Sequence, residues 1–360
     1  MKVVEIETIK LKRRLKEPAR WPTGVSEVKF LTLVKIVTDD GLTGWGPVYD
    51  RETVESVKPY ILGQDPFDRE ALWERVGWRG TWQNRALMTT LSGINIALYD
   101  IIGKAVNLPV YKILGGAQRS KVKVYMNGLY FNTTEKIVKI AEEQLDYGFT
   151  AIKLKIGYPG GITEDVEKVK ALRESFGYDI DILCDACRIS WNADTAIKLG
   201  RKLERYEVYW LEEPLPQDDL EGYLEVKNAL DITIAGFEGK STRYEFKDVI
   251  TRRVVDVLMA DLEVCGGIDE ARKIAAMASA YTIPFSPHCS DVIGTAASIH
   301  VSATISNFTI MEYTRWPPEW LWEDILREPL NFKDGCLELP NKPGLGIEIE
   351  EKALRNYLIR

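Results

Sequence analysis

TAIKLKIG, Thr150 to Gly157, and TEDVEKVKALRESFG, Thr163 to Gly177, together decide the fold. The first is a short apolar run in which side chains alternate. Lys153 and Lys155 fall on one face, and Ile152, Leu154 and Ile156 on the other. The second places Val166, Val169, Leu172 and Phe176 along one stripe of a helix. Taken alone, the strand with two lysines is one with a single wet face. The pair is one strand–helix unit, and the unit recurs.

The runs KVKVYMNG, TAIKLKIG, DIDILCDA, EVYWLEEP, ITIAGFEG, VDVLMADL, YTIPFSPH and NFTIMEYT start at residues 121, 150, 179, 207, 232, 255, 281 and 307. Helical patterns separate them, among them DEARKIAAMASAY with Asp269 as a candidate N-cap. Eight such units in series predict a (β/α)8 TIM-type barrel. A doubly wound sheet is the competing topology, but no Gly-rich phosphate fingerprint follows any run.

Upstream, residues 1–60 read as strands, with FLTLVKIVTDDGLTGWG a hairpin turning at Asp40-Gly41. Residues 66–114 read as helices, and Leu108-Pro109 and Gly115-Gly116 punctuate the chain near the end of that stretch. Downstream, DGCLELPNKPGLGIEIEE is Gly/Pro-rich and strand-like. The predicted organisation is an α+β capping domain over 1–118, a catalytic barrel over 119–325, and a segment over 326–360 that returns to the cap.

Bulk properties exclude several classes. The chain has 360 residues, 45% hydrophobic, with net charge −7, so no basic surface invites nucleic acid. No unbroken run approaches 18 apolar residues, which argues against a membrane span, and the charged alternation of MKVVEIETIKLKRR is unlike a signal peptide. Five cysteines, an odd number, suit a reducing cytoplasm. Cys184 and Cys187 have CxxC spacing, but without a second pair they are not expected to act as a redox or zinc site.

Chemistry in a barrel sits at the C-terminal ends of the strands. The polar residues there are Lys153 and Lys155, then Asp185, Glu212, Glu238, Asp261, His288 and Glu312. From Lys155 the steps are 30, 27, 26, 23, 27 and 24 residues, one strand–helix unit each. Seven consecutive strands each ending in an ionisable group would be ruinous as mere structure, because buried charges need partners. A bound cation and proton transfer resolve the problem. Asp185, Glu212 and Glu238 offer oxygen ligands only, which favours Mg2+, with Mn2+ as the alternative, over zinc. Lys155 is the candidate base. Lys153 and the cation are expected to lower its pKa from about 10.4, and Lys153 could also meet a substrate carboxylate. His288, oriented by Asp261, stands opposite. The other histidine, His300, falls in the helix after the seventh strand and reads as structural.

These motifs resemble the enolase superfamily, specifically its mandelate racemase-like subgroup. VTDDGLTGWG and INIALYDIIGKAVNLPVYKILGG are similar to its cap signatures. KLK, WLEEP, DLEVCGGIDEA and PGLGIEI are similar to its barrel and C-terminal ones. The resemblance implies metal ligands at Asp185, Glu212 (rather than Glu213) and Glu238, and bases at Lys155 and the His288–Asp261 pair. It also implies Glu312 as a partner of the substrate carboxylate or its enolate. Asp261 stands where enolases, muconate cycloisomerases and dipeptide epimerases carry lysine, which argues against their reactions. Cys187 replaces an Asn common in sugar-acid dehydratases of this type, and Pro47 replaces the usual Glu of the cap hairpin.

Two bases on opposite faces fit dehydration of an aldonic acid to a 2-keto-3-deoxy acid, or racemisation of a 2-hydroxy acid. A barrel that binds an acid without turnover would break the ladder of charges. Loops from the cap close over the mouth in this subgroup. There Arg20, Thr23, Ser26, Tyr49 and Asp50 offer hydrogen bonds, Trp21 could stack on a sugar, and Arg315 and Trp316 flank strand eight. This polarity favours the aldonic-acid dehydratase. A small-molecule sugar acid is therefore the expected partner, and the chain is expected to be a homo-oligomer.

Overall fold

The computed structural model describes residues 1–21, 24–77, 84–130, 132–157, 161–187 and 192–359, without the side chain of Trp21. β1 (Val3–Trp21), β2 (Gly24–Thr38) and β3 (Thr43–Pro47) form an antiparallel sheet in that order. Gly41, at φ 82°, supplies the turn between β2 and β3. Pro47 lies on the edge strand, where a missing N–H is tolerated.

Helices α1 (Arg51–Ile61), α2 (Arg69–Gly77), α3 (Arg85–Ala105) and α4 (Val110–Ile113) complete the cap. Residues 51–60 are thus helical rather than extended. Asp50 caps α1 by accepting from the Thr53 N–H, and Val54, Val57 and Ile61 are its buried stripe. α3 is long and apolar enough by composition to cross a bilayer, although polar residues interrupt its apolar runs. Here 89% of its apolar window is buried inside the fold.

The barrel strands are β4 (Lys121–Leu129), β5 (Ala151–Lys155), β6 (Asp181–Asp185), β7 (Trp210–Glu212), β8 (Ile234–Gly236), β9 (Val257–Leu258) and β10 (Met311–Thr314). β4 to β9 pair in parallel in sequence order, and β10 pairs in parallel with β4. Between β9 and β10, the run around Phe285 closes the barrel through single parallel bridges, Leu258 to Phe285 and Phe285 to Phe308. Pro284 and Pro287 lack the N–H groups that a continuous ladder needs. α5 (Thr134–Asp146), α6 (Gly161–Phe176), α7 (Ala193–Leu203), α8 (Leu220–Ala229), α9 (Thr242–Thr251), α10 (Gly267–Ala280) and α11 (Val292–Thr304) connect the strands.

Period-2 alternation divides the barrel interior into layers. Tyr125, Ala151, Leu183, Trp210, Ala235, Val257, Met259 and Ile310 form an apolar cluster. The next inward positions on the same strands are polar: Asn127, Lys153, Asp185, Glu212, Asp261 and Glu312. Ile152, Leu154 and Ile156 pack outward into the main core. The face carrying the lysines is therefore the barrel interior rather than a wet surface.

The cap docks through α3 onto α10. Helix α10 begins after Gly266 (φ 115°), and Asp269 is not its N-cap but lies in the first turn. Asp269 instead accepts from Asn95 Nδ2 at 2.8 Å and Tyr99 OH at 2.6 Å. A Cβ on Gly267 would meet the Asn95 side chain at 2.6 Å, so glycine there permits the close approach.

The C-terminal segment makes two attachments. β11 (Phe332–Lys333) and β12 (Cys336–Glu338) form a hairpin that extends the sheet beside β4, and α12 (Glu351–Leu354) follows. Beyond α12 the chain reaches the cap, where Lys12 N donates to Tyr357 O and Ile359 N to Lys10 O.

His300 joins these parts. Its Nδ1 accepts from the Tyr111 N–H and its Nε2 lies 3.1 Å from Leu345 O, an arrangement that suits the neutral ring with the proton on Nε2. Burial pushes its pKa down to about 4. Unfolded, the same residue titrates near about 6.5, so the unfolded chain binds the extra proton. The stabilisation is complete above about pH 6.5 and is lost as pH falls towards 4, roughly 3 kcal/mol in all. His300→Gln should flatten that part of the pH dependence of urea stability relative to wild type. Equal slopes in the two proteins would show that other groups take up the proton.

Candidate active site

The strand register sets the site. Lys155 neighbours Asp185, Asp185 neighbours Glu212, and Asp261 neighbours His288. Lys153 is fully buried. Its Nζ lies 2.7 Å from Glu212 Oε1, 2.8 Å from Glu312 Oε2 and 3.3 Å from Asp185 Oδ2. Lys155 donates to Asp185 Oδ2. His288 Nδ1 lies 2.7 Å from Asp261 Oδ2, and its Nε2 lies 3.1 Å from Glu238 Oε2. Glu312 also accepts from Tyr125, Asn127 and Thr314.

Glu238 reaches the cavity against the simple alternation. Phe237, at φ 76°, puts its side chain in the outer core beside Tyr223. The Phe237 and Glu238 N–H groups both donate to Glu213 Oε1, at 2.6 and 3.2 Å. The two glutamates of LEEP thus divide the work: Glu212 faces inward, and Glu213 braces the backbone that turns Glu238 in.

Lys155, Asp185, Glu238, His288 and Glu312 line one cavity of about 350 Å³, with Lys29, Asn127, Tyr130, Cys187, Cys289, Ser290, Thr314 and Trp320. Glu212 and Lys153 lie buried behind these residues. Of the loop residues expected at the mouth, Tyr49, Arg20, Arg315 and Asp50 are placed otherwise. Tyr49 is 58% exposed and Arg20 is exposed, and neither lines the cavity. Arg315 turns away, its guanidinium 4.4 Å from the Tyr147 ring centroid and 3.9 Å from Glu323. Asp50 is the α1 cap. Thr23 and the Trp21 side chain lie outside the described residues. Lys29 and Trp320 line the cavity. Cys184 is buried in the core while Cys187 lines the cavity, so the CxxC residues point apart. Cys187 adopts φ 55°, a region Asn tolerates well, and its N–H donates to Asp185 Oδ1 at 2.7 Å.

Burial lowers Lys155, but Asp185, Cys187 and Glu212 together outweigh burial and Lys153 and raise the lysine well above its usual value. Burial opposes ionisation of Asp185, yet Lys155 and Lys153 hold it well below the carboxylate range. Burial and then Asp185 push Glu212 well up, with Lys153 opposing. Burial disfavours charged His288, but Glu238, Glu312 and Asp261 raise it to about 10.

Among the described residues, no three His, Cys, Asp or Glu side chains are set to grip an ion as they stand. The donor chemistry nonetheless fits a hard cation. Asp185 Oδ1 is taken by Cys187 N–H and Glu212 Oε2 by Trp210 Nε1, while Asp185 Oδ2 and Glu212 Oε1 share the Lys153 ammonium. Lysine charge stands in where adjacent carboxylates demand a cation.

Residues 136–353 match the description "Enolase C-terminal domain-like", and residues 3–115 match "Mandelate racemase / muconate lactonizing enzyme, N-terminal domain". The chain belongs to this enzyme family of the enolase superfamily. Within it, D-xylonate dehydratase of Haloferax volcanii is 32% identical, covering 91% of this chain and 85% of its own. The 3,6-anhydro-D-galactonate cycloisomerase of Zobellia galactanivorans superposes with a TM-score of 0.92 at 30% identity, covering all of both chains. A racemase of Streptomyces coelicolor A3(2), solved with bound magnesium, gives a TM-score of 0.92 at 28% identity over 99% of this chain and 100% of its own. The mandelate racemase/muconate lactonizing enzyme family thus spans several outcomes on one scaffold, and the site must choose among them.

Proposed function

We propose that the protein dehydrates an aldonic acid to a 2-keto-3-deoxy acid. The observation that carries this reading is the convergence of Lys155 and the His288–Asp261 pair on one cavity lined by amide and hydroxyl groups. Asp185, Glu212 and Glu238 would hold Mg2+. When bound, the ion supplies charge that stabilises an enediolate and disfavours the ammonium form of Lys155. Neutral Lys155 takes the α-proton, and the electron pair moves into the substrate carboxylate. His288 as imidazolium donates its Nε2 proton to the departing β-hydroxyl, which leaves as water. Asp261 keeps the ring oriented and charged. Glu312, fixed by Asn127, Tyr125 and Thr314, hydrogen-bonds the carboxylate or its enolate. The enol product then tautomerises to the keto acid. D-xylonate dehydratase, similar over nine-tenths of this chain, supports the choice of outcome.

The test is a panel of four- to six-carbon aldonic acids with Mg2+, scored for keto acid. At least one should be converted. Epimers without keto acid across the panel would make the enzyme a racemase instead.

A further inference from the structure

Among the described residues, Lys29 is the one cavity-lining residue that comes from the cap hairpin. It pairs across the sheet with Arg13, so the two cations are neighbours. Their surroundings differ. Arg13 is neutralised by Asp324, donates to Glu319 O, and lies 4.4 Å from the Trp322 ring centroid and 4.2 Å from that of Tyr357. Those contacts fasten the hairpin to the segment 318–325, which also carries Trp320. Lys29 Nζ sits 4.0 Å from the Trp320 ring centroid. Among the described residues its ammonium has no hydrogen bond and no ion pair.

The acids on that side are committed elsewhere. Glu319 pairs with Lys16 at 3.2 Å. Glu263 accepts from the Ser290 and Asp291 N–H groups, and Asp291 caps α11. Asp261 holds His288, and Glu312 holds Lys153. Burial lowers the Lys29 pKa while Glu263, Asp291, Asp261 and Glu312 pull it back up from a distance. A half-buried ammonium, fixed on an indole face and aimed into a cavity, lacks a counter-ion of its own.

We propose that this counter-ion arrives with the substrate, as a second anionic group remote from the carboxylate beside the reacting carbon. The inference rests on the sugar-acid reading and extends it from singly to doubly charged acids: the barrel residues take the reacting end, and Lys29 on Trp320 takes the other. A terminal carboxylate, as in an aldaric acid, and a terminal phosphate share this chemistry.

The test is direct binding to the Mg2+-loaded full-length protein by titration calorimetry. The probes are matched aldonate and aldarate pairs of five and six carbons, together with 6-phosphogluconate. Wild type should bind a doubly charged acid about 10- to 100-fold more tightly than its singly charged partner, the range of a hydrogen bond to a charged group. Lys29→Met should erase the difference. Lys29→Arg should keep it. The ratio of 6-phosphogluconate to glucarate affinity identifies the second anion as phosphate or carboxylate. Absence of any preference in wild type, or a preference that survives in Lys29→Met, overturns the proposal. Binding is read without turnover, so failure to form keto acid would count against dehydration and leave this ratio readable.

Discussion

Stripping divalent metal from the protein is expected to abolish keto-acid formation, and added Mg2+ to restore it. The reason is charge: Asp185, Glu212 and Glu238 would hold the ion, and the ion disfavours the ammonium form of Lys155. Without it, charge stabilisation of the enediolate is lost, several kcal/mol, or at least about 10³-fold in rate. Glu212→Gln should weaken Mg2+ binding measured by calorimetry, because it removes one anionic ligand. Glu213→Gln removes no ligand and keeps a side-chain oxygen to accept from the Phe237 and Glu238 N–H groups, so it should bind Mg2+ more tightly than Glu212→Gln does. Undiminished turnover in a metal-free sample would remove the metal from the mechanism.

The inward positions were legible because one rule, alternation, applies wherever a strand is regular. It places Lys153, Lys155, Asp185, Glu212, Asp261 and Glu312 correctly from the spacing of apolar neighbours. It is blind where the backbone departs from the β region. Glu238 turns in only because Phe237 adopts φ 76° and Glu213 holds both N–H groups, a non-local brace across two strands. His288 sits in a run broken by two prolines, and chain spacing rather than alternation found it. The cap residues were not legible for a different reason. The polar sequence around Arg20 and Tyr49 read as loops and suggested a lid, but Arg20 belongs to β1, both residues are exposed and neither lines the cavity. Lys29 lies within a strand whose face is set by its register with Arg13, and a single strand carries no record of its partner. The Lys155 expectation weighed Lys153 and a bound cation; the strand register adds the Asp185 carboxylate beside it, which pulls the lysine the other way.

Lys155→Met and His288→Asn should fail in different ways, and the difference separates dehydration from racemisation. Lys155→Met removes the base. With the acid it converts best, this variant should show neither exchange of the α-proton with solvent deuterium nor keto acid. His288→Asn removes the acid that assists departure of hydroxide. General acid catalysis is typically worth about 10²–10⁴-fold, so keto-acid formation should drop by that order. Proton abstraction by Lys155 does not need His288, so slow deuterium incorporation into unconverted substrate should persist. The Asp261 hydrogen bond to His288 Nδ1 leaves Nε2 as the nitrogen aimed at Glu238 and the cavity, which is where a leaving hydroxyl would be met. An acid of opposite α-configuration would present its proton to His288, and the two variants would exchange phenotypes. Running both α-epimers of each aldonate therefore guards against misassigning the roles. Wild-type enzyme that scrambles α-epimers through both bases, while yielding no keto acid from any of them, would show that His288 returns a proton to carbon rather than to oxygen.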